Sequence, residues 1–515
     1  MYLRLIFINI LLMASVGTFA QPDISLPINP GRQLFVDDAL IEKSFNVEQK
    51  FHTPSYYFCN PVIVADKPWE FNINGDPYAA PFSGGVWFDE LDGKYKMWYS
   101  AGGNKMLGLI TCYAESYDGK SWIKPSLDVV PGTNIVDTLE HDCVSVLLDK
   151  HEQDSAKRFK MFVVEFNDRF SVSMRLKYSY DGIHWSHPKA LSGELYDRCA
   201  AYYDPFRKKY ILSLKTMNKK YGRARNFLEC SDPETLVSLA HKVYEKDNDK
   251  FIRYWFHADE DDPRNPLFPD IQPQIYNHEA MPYESLMLGY FTIWQGPENE
   301  DCDSLMIQKR NEVLIGFSRD GFHWNRRFKK PFLPVDEDFH AWNAGNVQSV
   351  AGCPLIVGDS LYFYMSGRYN SKPKHDSNFA TGLAMLRRDG FASLRTGETD
   401  GFVITVPLHV SGAFCFINAE INGRLYAELL DENSNVIDGF SKNDFKVINK
   451  VNSTKLQLQW KRGDLSSLIG RKVKIKFYMR AMDLYSFWFA QTEKGLSGGY
   501  TAGGGPSLSS SGIDK

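Results

Sequence analysis

Two markers recur in phase between residues 30 and 395, and a chain that repeats itself in this way buries its core by packing each copy against the next. The first is a strand-like aromatic run at 94–100, 158–164, 209–215, 289–295 and 361–367. Its leading aromatics, Tyr95, Phe159, Tyr210, Tyr290 and Tyr362, stand 64, 51, 80 and 72 residues apart. The second marker is Ser-x-Asp-Gly-x-x-Trp at 116–122, 179–185 and 318–324, with degenerate copies at Ser231-Asp232-Pro233 and Arg388-Asp389-Gly390-Phe391. From aromatic to Asp the offsets are 23, 22, 22, 30 and 27. Asp-Gly between alternating runs is tight-hairpin chemistry, because Gly accepts positive φ. Small antiparallel sheets repeated radially make a propeller. The expected fold is therefore all-β, a five-bladed β-propeller over 30–395, with the Asp-Gly-x-x-Trp copies as blade turns rather than active sites.

After Gly397 the markers stop. Short alternating runs at 402–410, 414–418, 425–431, 455–460 and 473–480 predict a C-terminal β-sandwich over 398–495. The Gly/Ser-rich end, 496–515, reads as a loosely ordered tail whose Tyr500 docks on the sandwich. At the other end, Arg4, the apolar run 5–16 and Thr18-Phe19-Ala20 form a secretory signal pattern over 1–20. Export to the periplasm or beyond follows, with no membrane partner after cleavage. The eight cysteines stand singly without a Cys-x-x-Cys pair, which argues against a zinc site and reads mostly as buried apolar residues, with one or two disulfides compatible with an oxidising compartment. Basic residues number 59 against 63 acidic, a net charge of −4, and no basic stripe is present, so nucleic acid is not an expected partner.

A propeller places its ligand site at one end of the central channel, so the informative residues precede the first strand of each blade. They are Asp76 and Tyr78 in blade one, Glu140, His141 and Asp142 in blade two, and Asp197 with Arg198 in blade three. Blade four offers His278-Glu279 and Tyr283-Glu284 before a first strand read at 286–294, and blade five offers Trp342 and Asn343 with further amides up to Gln348. Carboxylates from four blades converging on one axis suit glycoside cleavage, in which one acid protonates the leaving oxygen and a second acts as base or nucleophile. A third nearby carboxylate raises the acid's pKa. Tyr78, His141, Tyr283 and Trp342 are of a kind to stack on or bond to a sugar, and Arg198 to hold a carboxylate or an acidic sugar. Each of these acids also has a plainer reading as a turn cap or a solvated channel rim.

The strings Leu34-Phe-Val-Asp-Asp-Ala-Leu-Ile-Glu42, Asn60-Pro61-Val62, Lys67-Pro68-Trp69-Glu70 and Gly93-Lys-Tyr-Lys-Met-Trp-Tyr99 resemble secreted bacterial proteins related to the family-32 and family-43 glycoside hydrolase propellers. Tyr283-Glu284-Ser285, Ser318-Arg-Asp-Gly321 and Leu484-Tyr-Ser-Phe487 match the same pattern. The resemblance implies hydrolysis of glycosidic bonds by acids from the first three blades, which map to Asp76, Asp142 (or Glu140) and Asp197. The family-32 Asn-Asp-Pro-Asn-Gly box is absent; the nearest string is Asn74-Gly75-Asp76-Pro77. The reading is thus a secreted glycoside hydrolase acting on a poly- or oligosaccharide. Asp76 is the base or nucleophile, Asp142 the tuning acid, and Asp197 or Glu284 the proton donor; Glu279 lies among the substrate contacts. Alternatives are a non-catalytic carbohydrate-binding propeller and, less favoured, a glycoside phosphorylase or transferase. No cofactor is expected; a structural calcium ion occurs in some propellers of this kind, but no EF-hand-like loop is present.

Overall fold

The structure is a computed structural model and describes residues 29–102, 108–167, 171–244, 249–369 and 378–515. The expected leader at 1–20 lies outside them. The chain is nearly all β, and up to residue 396 most of it runs as successive antiparallel meanders. Strands Val86–Asp89, Lys94–Ala101 and Leu109–Ser116 pair in order, and Ile135–Leu148, Phe159–Phe166, Val172–Ser179 and Ala190–Leu195 continue the same sheet. The long strand Ile135–Leu148 joins the two groups, pairing backward through its first half and forward through its second. A separate sheet holds Ala200–Asp204, Lys209–Asn218, Gly222–Cys230 and Arg253–Phe256. The next holds Gln274–Tyr283, Leu286–Trp294, Asn311–Ser318, Asn346–Val350, Ser360–Arg368 and Phe379–Arg387.

The two sequence markers have distinct jobs here. The aromatic runs are the second strands of the meanders, and Trp98, Met161, Leu212, Tyr290 and Phe363 from them share one buried core. The Ser-x-Asp-Gly turns follow third strands and are built alike. Ser116, Ser179 and Ser318 Oγ each accept the amide of the turn glycine at 2.9 Å. Asp118, Asp181 and Asp320 each accept the next two amides. Each glycine then lies flat on a neighbouring meander: Gly119 against Tyr364, Gly182 against Trp98, Gly321 against Asp204. A Cβ would collide at all three. Tyr364 donates to the Gly119 carbonyl at 2.5 Å, and Trp98 Nε1 to that of Gly182 at 2.7 Å.

The contact of Gly119 with Tyr364 joins the first meander to the last, so the series closes on itself. The N-terminal strand Ser55–Tyr56 completes the last meander by pairing with Phe379–Arg387, and Cys353 Sγ donates to the Val86 carbonyl across the seam.

The C-terminal strands Gly401–Thr405, Phe414–Leu430, Ile448–Leu458 and Lys472–Ala490 form one antiparallel sheet around a second core that includes Ile417, Leu425, Phe477 and Leu484. The segment 33–51, expected with the repeats, pairs with this sheet instead: Ile41–Phe45 with Gly401–Thr405, and Glu48–Phe51 with Ala392–Thr396. Its apolar residues Phe35 and Leu40 enter the second core.

A buried knot of charge fastens these parts. Arg32 donates to Asp389 Oδ2 at 2.9 Å and the Thr454 carbonyl at 2.8 Å, with its amide on Glu284 Oε2 at 3.1 Å. Arg388 adds a bond to Glu284 Oε1 at 2.9 Å, and the Tyr283 hydroxyl one to Asp389 Oδ1 at 2.6 Å. Burial alone would raise the Asp389 carboxyl, yet Arg32 and Arg388 hold it down to about 2. The tail is ordered against this knot and not loose. Ser497 donates to Glu284 Oε2 at 2.7 Å, and Tyr500 bridges to Glu284 rather than docking on the C-terminal sheet. Phe88 and Ile356 donate their amides to the Gly503 and Gly504 carbonyls, so the tail spans the ends of several meanders. All eight cysteines are free thiols.

Removing one partner from a fully buried ion network leaves uncompensated charge. Glu284→Gln is expected to cost about 3–5 kcal/mol in urea unfolding while leaving ligand binding at the other end of the channel unchanged. Equal stability of variant and parent would show that the knot contributes nothing.

Candidate active site

The candidate site lies where the chain enters the first, innermost strand of each meander. Arg198, just before Ala200–Asp204, is left-handed at φ 56°, which costs a residue with a Cβ about 1–2 kcal/mol. Two bonds hold it: its amide donates to Asp142 Oδ2 at 3.0 Å, and its carbonyl accepts from Arg225 Nη1 at 2.5 Å. Phe82 is left-handed too, at φ 45°, with its amide on Ser366 Oγ at 2.8 Å. The Arg198 guanidinium stacks 4.4 Å from the Phe82 ring centre. Two non-glycine residues held against their backbone preference and stacked together are the kind of stored strain found at working sites.

An apolar wall rises beside them. Tyr78 and Phe379 rings lie 4.4 Å apart, Phe82 packs on both, and Arg368 covers Phe379 at 4.1 Å. Facing the wall, Asp142 pairs with Arg198 at 3.4 Å and its carbonyl accepts from Arg198 Nη1 at 3.0 Å. Asp197 turns to the Lys215 ammonium; burial pushes its carboxyl up, but Lys215 and Arg198 outweigh that and hold it below the usual range.

Arg225 ties the third meander to the fourth. It is fully buried and donates through Nη2 to the Tyr276 carbonyl at 2.7 Å and to Asn277 Oδ1 at 2.8 Å. Its bonds among the described residues go to carbonyl and amide oxygens, not to a carboxylate. Tyr276 sits at a bulge where Gln274–Tyr283 skips a partner, and its hydroxyl accepts from Gln348 Nε2 at 2.7 Å. Burial raises that phenol, but Lys309 and Arg198 more than offset it, so it lies below its ordinary value.

Below Tyr276 the strand alternates. Asn277 and Glu279 face the channel, while His278 points the other way into a box of Trp255, Phe256, Phe291 and Trp324. Glu279 Oε1 accepts Ser83 Oγ at 2.5 Å and also the Asn277 amide, and Asn277 reaches Ser83 and Ser349 at 3.1 Å each. Oε2 has no partner among the described residues. Burial pushes the Glu279 carboxyl up to about 8, so it is protonated at neutral pH.

Of the residues expected at this mouth, the structure gathers Tyr78, Asp142, Asp197, Arg198 and Glu279. It places others elsewhere. Tyr283 ends the strand Gln274–Tyr283 and Glu284 follows it, roughly 25 Å from Tyr276 at about 3.4 Å per residue, inside the charge knot; neither a proton-donor role nor a sugar contact at the mouth fits that position. The strand 286–294, read as blade four's first, is its second. Trp342 is wedged over Gly367 and Gly382, edge-on to Tyr56, and Asn343 is buried against the Pro334 carbonyl, so both brace a meander. His141 is fully buried on Thr111, and burial lowers it to about 4, leaving a neutral ring inside the sheet. Glu140 is half-buried beside it on the same strand. Asp76 bonds Asn72 within its own turn at 3.2 Å.

Sequence reasoning missed Phe82, Arg225, Tyr276, Lys309, Arg368 and Phe379. The one usable signal was Tyr276, near the start of a strand of ten residues whose sequel turns without glycine. Among the described residues no cluster of three or more His, Cys, Asp or Glu is arranged to hold a metal ion.

No family model matches the chain, and no curated protein matches it. Among solved structures it is similar to a glycosyl hydrolase from Bacteroides ovatus at 13% identity, covering 66% of this chain and 94% of that one, with a TM-score of 0.43. A structure from the GH130 family of mannoside phosphorylases, a family said to contain glycoside hydrolases that target β-1,2-mannosidic linkages in Candida mannan, shares 13% identity over 65% of this chain and 94% of its own, TM-score 0.42. An exo-inulinase from Aspergillus awamori shares 8% identity over 82% and 100%, TM-score 0.37.

Proposed function

We propose that the chain is a secreted carbohydrate-active enzyme, a five-bladed propeller with a C-terminal β-sandwich, that hydrolyses a glycosidic bond at the mouth around Arg198. The observation that carries this reading is a pair of carboxyls in different environments beside an aromatic wall. Asp142 is clasped by Arg198 in a charge-assisted pair. Glu279 is sealed in a neutral polar network with one oxygen unpartnered and its proton retained to about pH 8. Two carboxyls whose surroundings differ in this way divide acid and base work between them. Glu279 is then the proton donor to the leaving oxygen and Asp142 the base or nucleophile. The stacked rings of Tyr78, Phe82 and Phe379 offer a face for a sugar ring. Asp197, paired with Lys215, sets the field at the rim, and Asp76 is not part of the chemistry.

Turnover on a panel of poly- and oligosaccharides tests this. Asp142→Asn and Glu279→Gln are each expected to lower kcat about 10²–10⁴-fold, with Asp76→Asn near the parent rate. Activity is expected to fall as pH rises through about 8, where Glu279 loses its proton, and Glu279→Gln is expected to lack that limb. Glycan retention without turnover on the whole panel would instead favour a binding propeller.

The same group ties stability to pH. Its folded value of about 8 exceeds the ordinary 4.5, so between these values the folded chain holds a proton that the unfolded chain has lost. Its contribution to stability is therefore fully present below about pH 4.5 and declines as pH rises through 8. Urea unfolding at pH 5 and pH 8.5 (roughly the two plateaus) checks this: Glu279→Gln is expected to gain on the parent at the higher pH. An unchanged difference would remove the buried-acid assignment.

A further inference from the structure

The Tyr276 phenol is bonded in the opposite sense to the phenols that hold the fold. Tyr99 donates to Glu70, Tyr283 to Asp389 and Tyr364 to the Gly119 carbonyl. The Tyr202 and Tyr290 hydroxyls have no partner among the described residues. Tyr276 differs from both groups: its oxygen accepts from Gln348 Nε2 at 2.7 Å, and among the described residues its own proton meets no acceptor. Gln348 is 1% exposed, so a buried amide holds the phenol oxygen in place. A hydroxyl that accepts one fixed bond still has its proton to give, and a buried donor left without an acceptor is costly.

The backbone aims this phenol at the mouth. The ladder runs from Ile275 with Ile293 to Asn277 with Thr292, leaving Tyr276 as an extra residue. Such a bulge re-aims a side chain; simple alternation would have turned Tyr276 outward with His278. Arg225 fixes the re-aimed unit at the Tyr276 carbonyl, 2.7 Å away. Successive residues of the neighbouring inner strand then grip successive residues here, Gln348 on Tyr276 and Ser349 on Asn277. The Arg198 guanidinium lies 5.8 Å from the Tyr276 ring centre and 4.4 Å from that of Phe82, and pairs with Asp142 at 3.4 Å, so phenol, aromatic wall and Asp142 surround one place. Glu279 reaches up its strand to the Asn277 amide, which brings its carboxyl to the level of the residue beside the phenol. Burial raises the phenol, yet Lys309 and Arg198 outweigh burial, Asp197 and Asp142 together and set it below its ordinary value, which strengthens it as a donor.

From this placement we infer that the Tyr276 hydroxyl is a further catalytic group, donating its hydrogen bond to the oxygen that leaves as the glycosidic bond breaks. The inference rests on the reading of this mouth as a glycoside-cleaving site and adds a residue to it. As the carbon–oxygen bond breaks, its electron pair passes to the departing oxygen and Glu279 supplies the proton. Tyr276 keeps its own proton and steadies the charge that builds on that oxygen before the transfer is complete. Acid and phenol come from one strand and Asp142 from another meander, so Asp142 is left to act on the carbon, directly or through water.

Steady-state kinetics on a glycan that the parent turns over is the test. Tyr276→Phe removes only the hydroxyl and is expected to lower kcat about 10²-fold, with KM within about threefold of the parent. On the matching nitrophenyl glycoside, whose leaving group needs little help, the loss is expected to shrink below about tenfold. Asp142→Asn is expected to stay as damaging on both. Gln348→Met, which loosens the phenol without removing it, is expected to lower kcat severalfold, and to cost nothing further in the Tyr276→Phe background. Urea midpoints check folding, and Gln348→Met carries the test if Tyr276→Phe does not fold. Parent kcat in the folded variants overturns the inference, as does an equal loss on both leaving groups. If turnover still needs Asp142 and Glu279, the hydrolase reading survives that result. A parent that binds glycans and turns over none defeats the hydrolase reading and with it the catalytic role. Calorimetry then reads the bond itself: affinity about tenfold weaker in Tyr276→Phe keeps Tyr276 as a glycan contact, and equal affinity removes it.

Discussion

The mouth depends on one guanidinium. Arg225 lies in the third strand of its meander, fully buried, and spends its donors on the carbonyls of Arg198 and Tyr276 and on the Asn277 side-chain oxygen. Burial pushes its pKa down, but a guanidinium starts so high that it remains charged. A fixed cation under two neighbouring inner strands therefore sets where both enter the channel. It holds Arg198 in a backbone conformation the residue would not adopt alone, and through Arg198 it fixes Asp142. Through Asn277 it fixes the polar network that keeps Glu279 dry. Acid, base and aromatic wall are thus registered to a residue that touches none of the space a ligand would fill.

The two ends of the channel use charge in opposite ways. At the far end Arg32 and Arg388 are paired with Glu284 and Asp389 and sealed by the tail. That arrangement joins parts of the chain and leaves no capacity for a ligand. At the mouth the buried Arg225 spends its donors on carbonyl and amide oxygens and, among the described residues, on no carboxylate.

Much of this was legible in the sequence, and the failures have local causes. The aromatic second strands and the Ser-x-Asp-Gly turns were readable because each copy repeats one packing problem: Gly182 must lie on Trp98, and Gly119 on Tyr364. Asp197 and Arg198 were found because Ala200–Asp204 begins where the pattern says it should; Asp142 was found although its strand, Ile135–Leu148, begins earlier than expected, because the register breaks between His141 and Cys143. Blade four was misread by one strand, because Glu284 takes a left-handed turn at φ 50° without the glycine that usually marks one. That moved the expected mouth from Tyr276 to Glu284, the wrong end of the channel. Arg225 and Arg368 come from second and third strands and Lys309 from a connection, so searching only the entries to the first strands passed over them. The tail misled by composition: its glycines are needed for close approach to Glu284 and Ile356, not for looseness.

The closing of the ring has a consequence for synthesis. The last meander borrows its outer strand from Ser55–Tyr56, which meets Met385 and Ala384. The partner strand is made more than 300 residues later, as the register of Tyr56 with Ala384 shows. At about 5–20 residues per second, the early segment waits roughly 15–65 s on the ribosome with its hydrogen-bonding edge unpaired. During that interval the nascent chain presents a template for other strands to join.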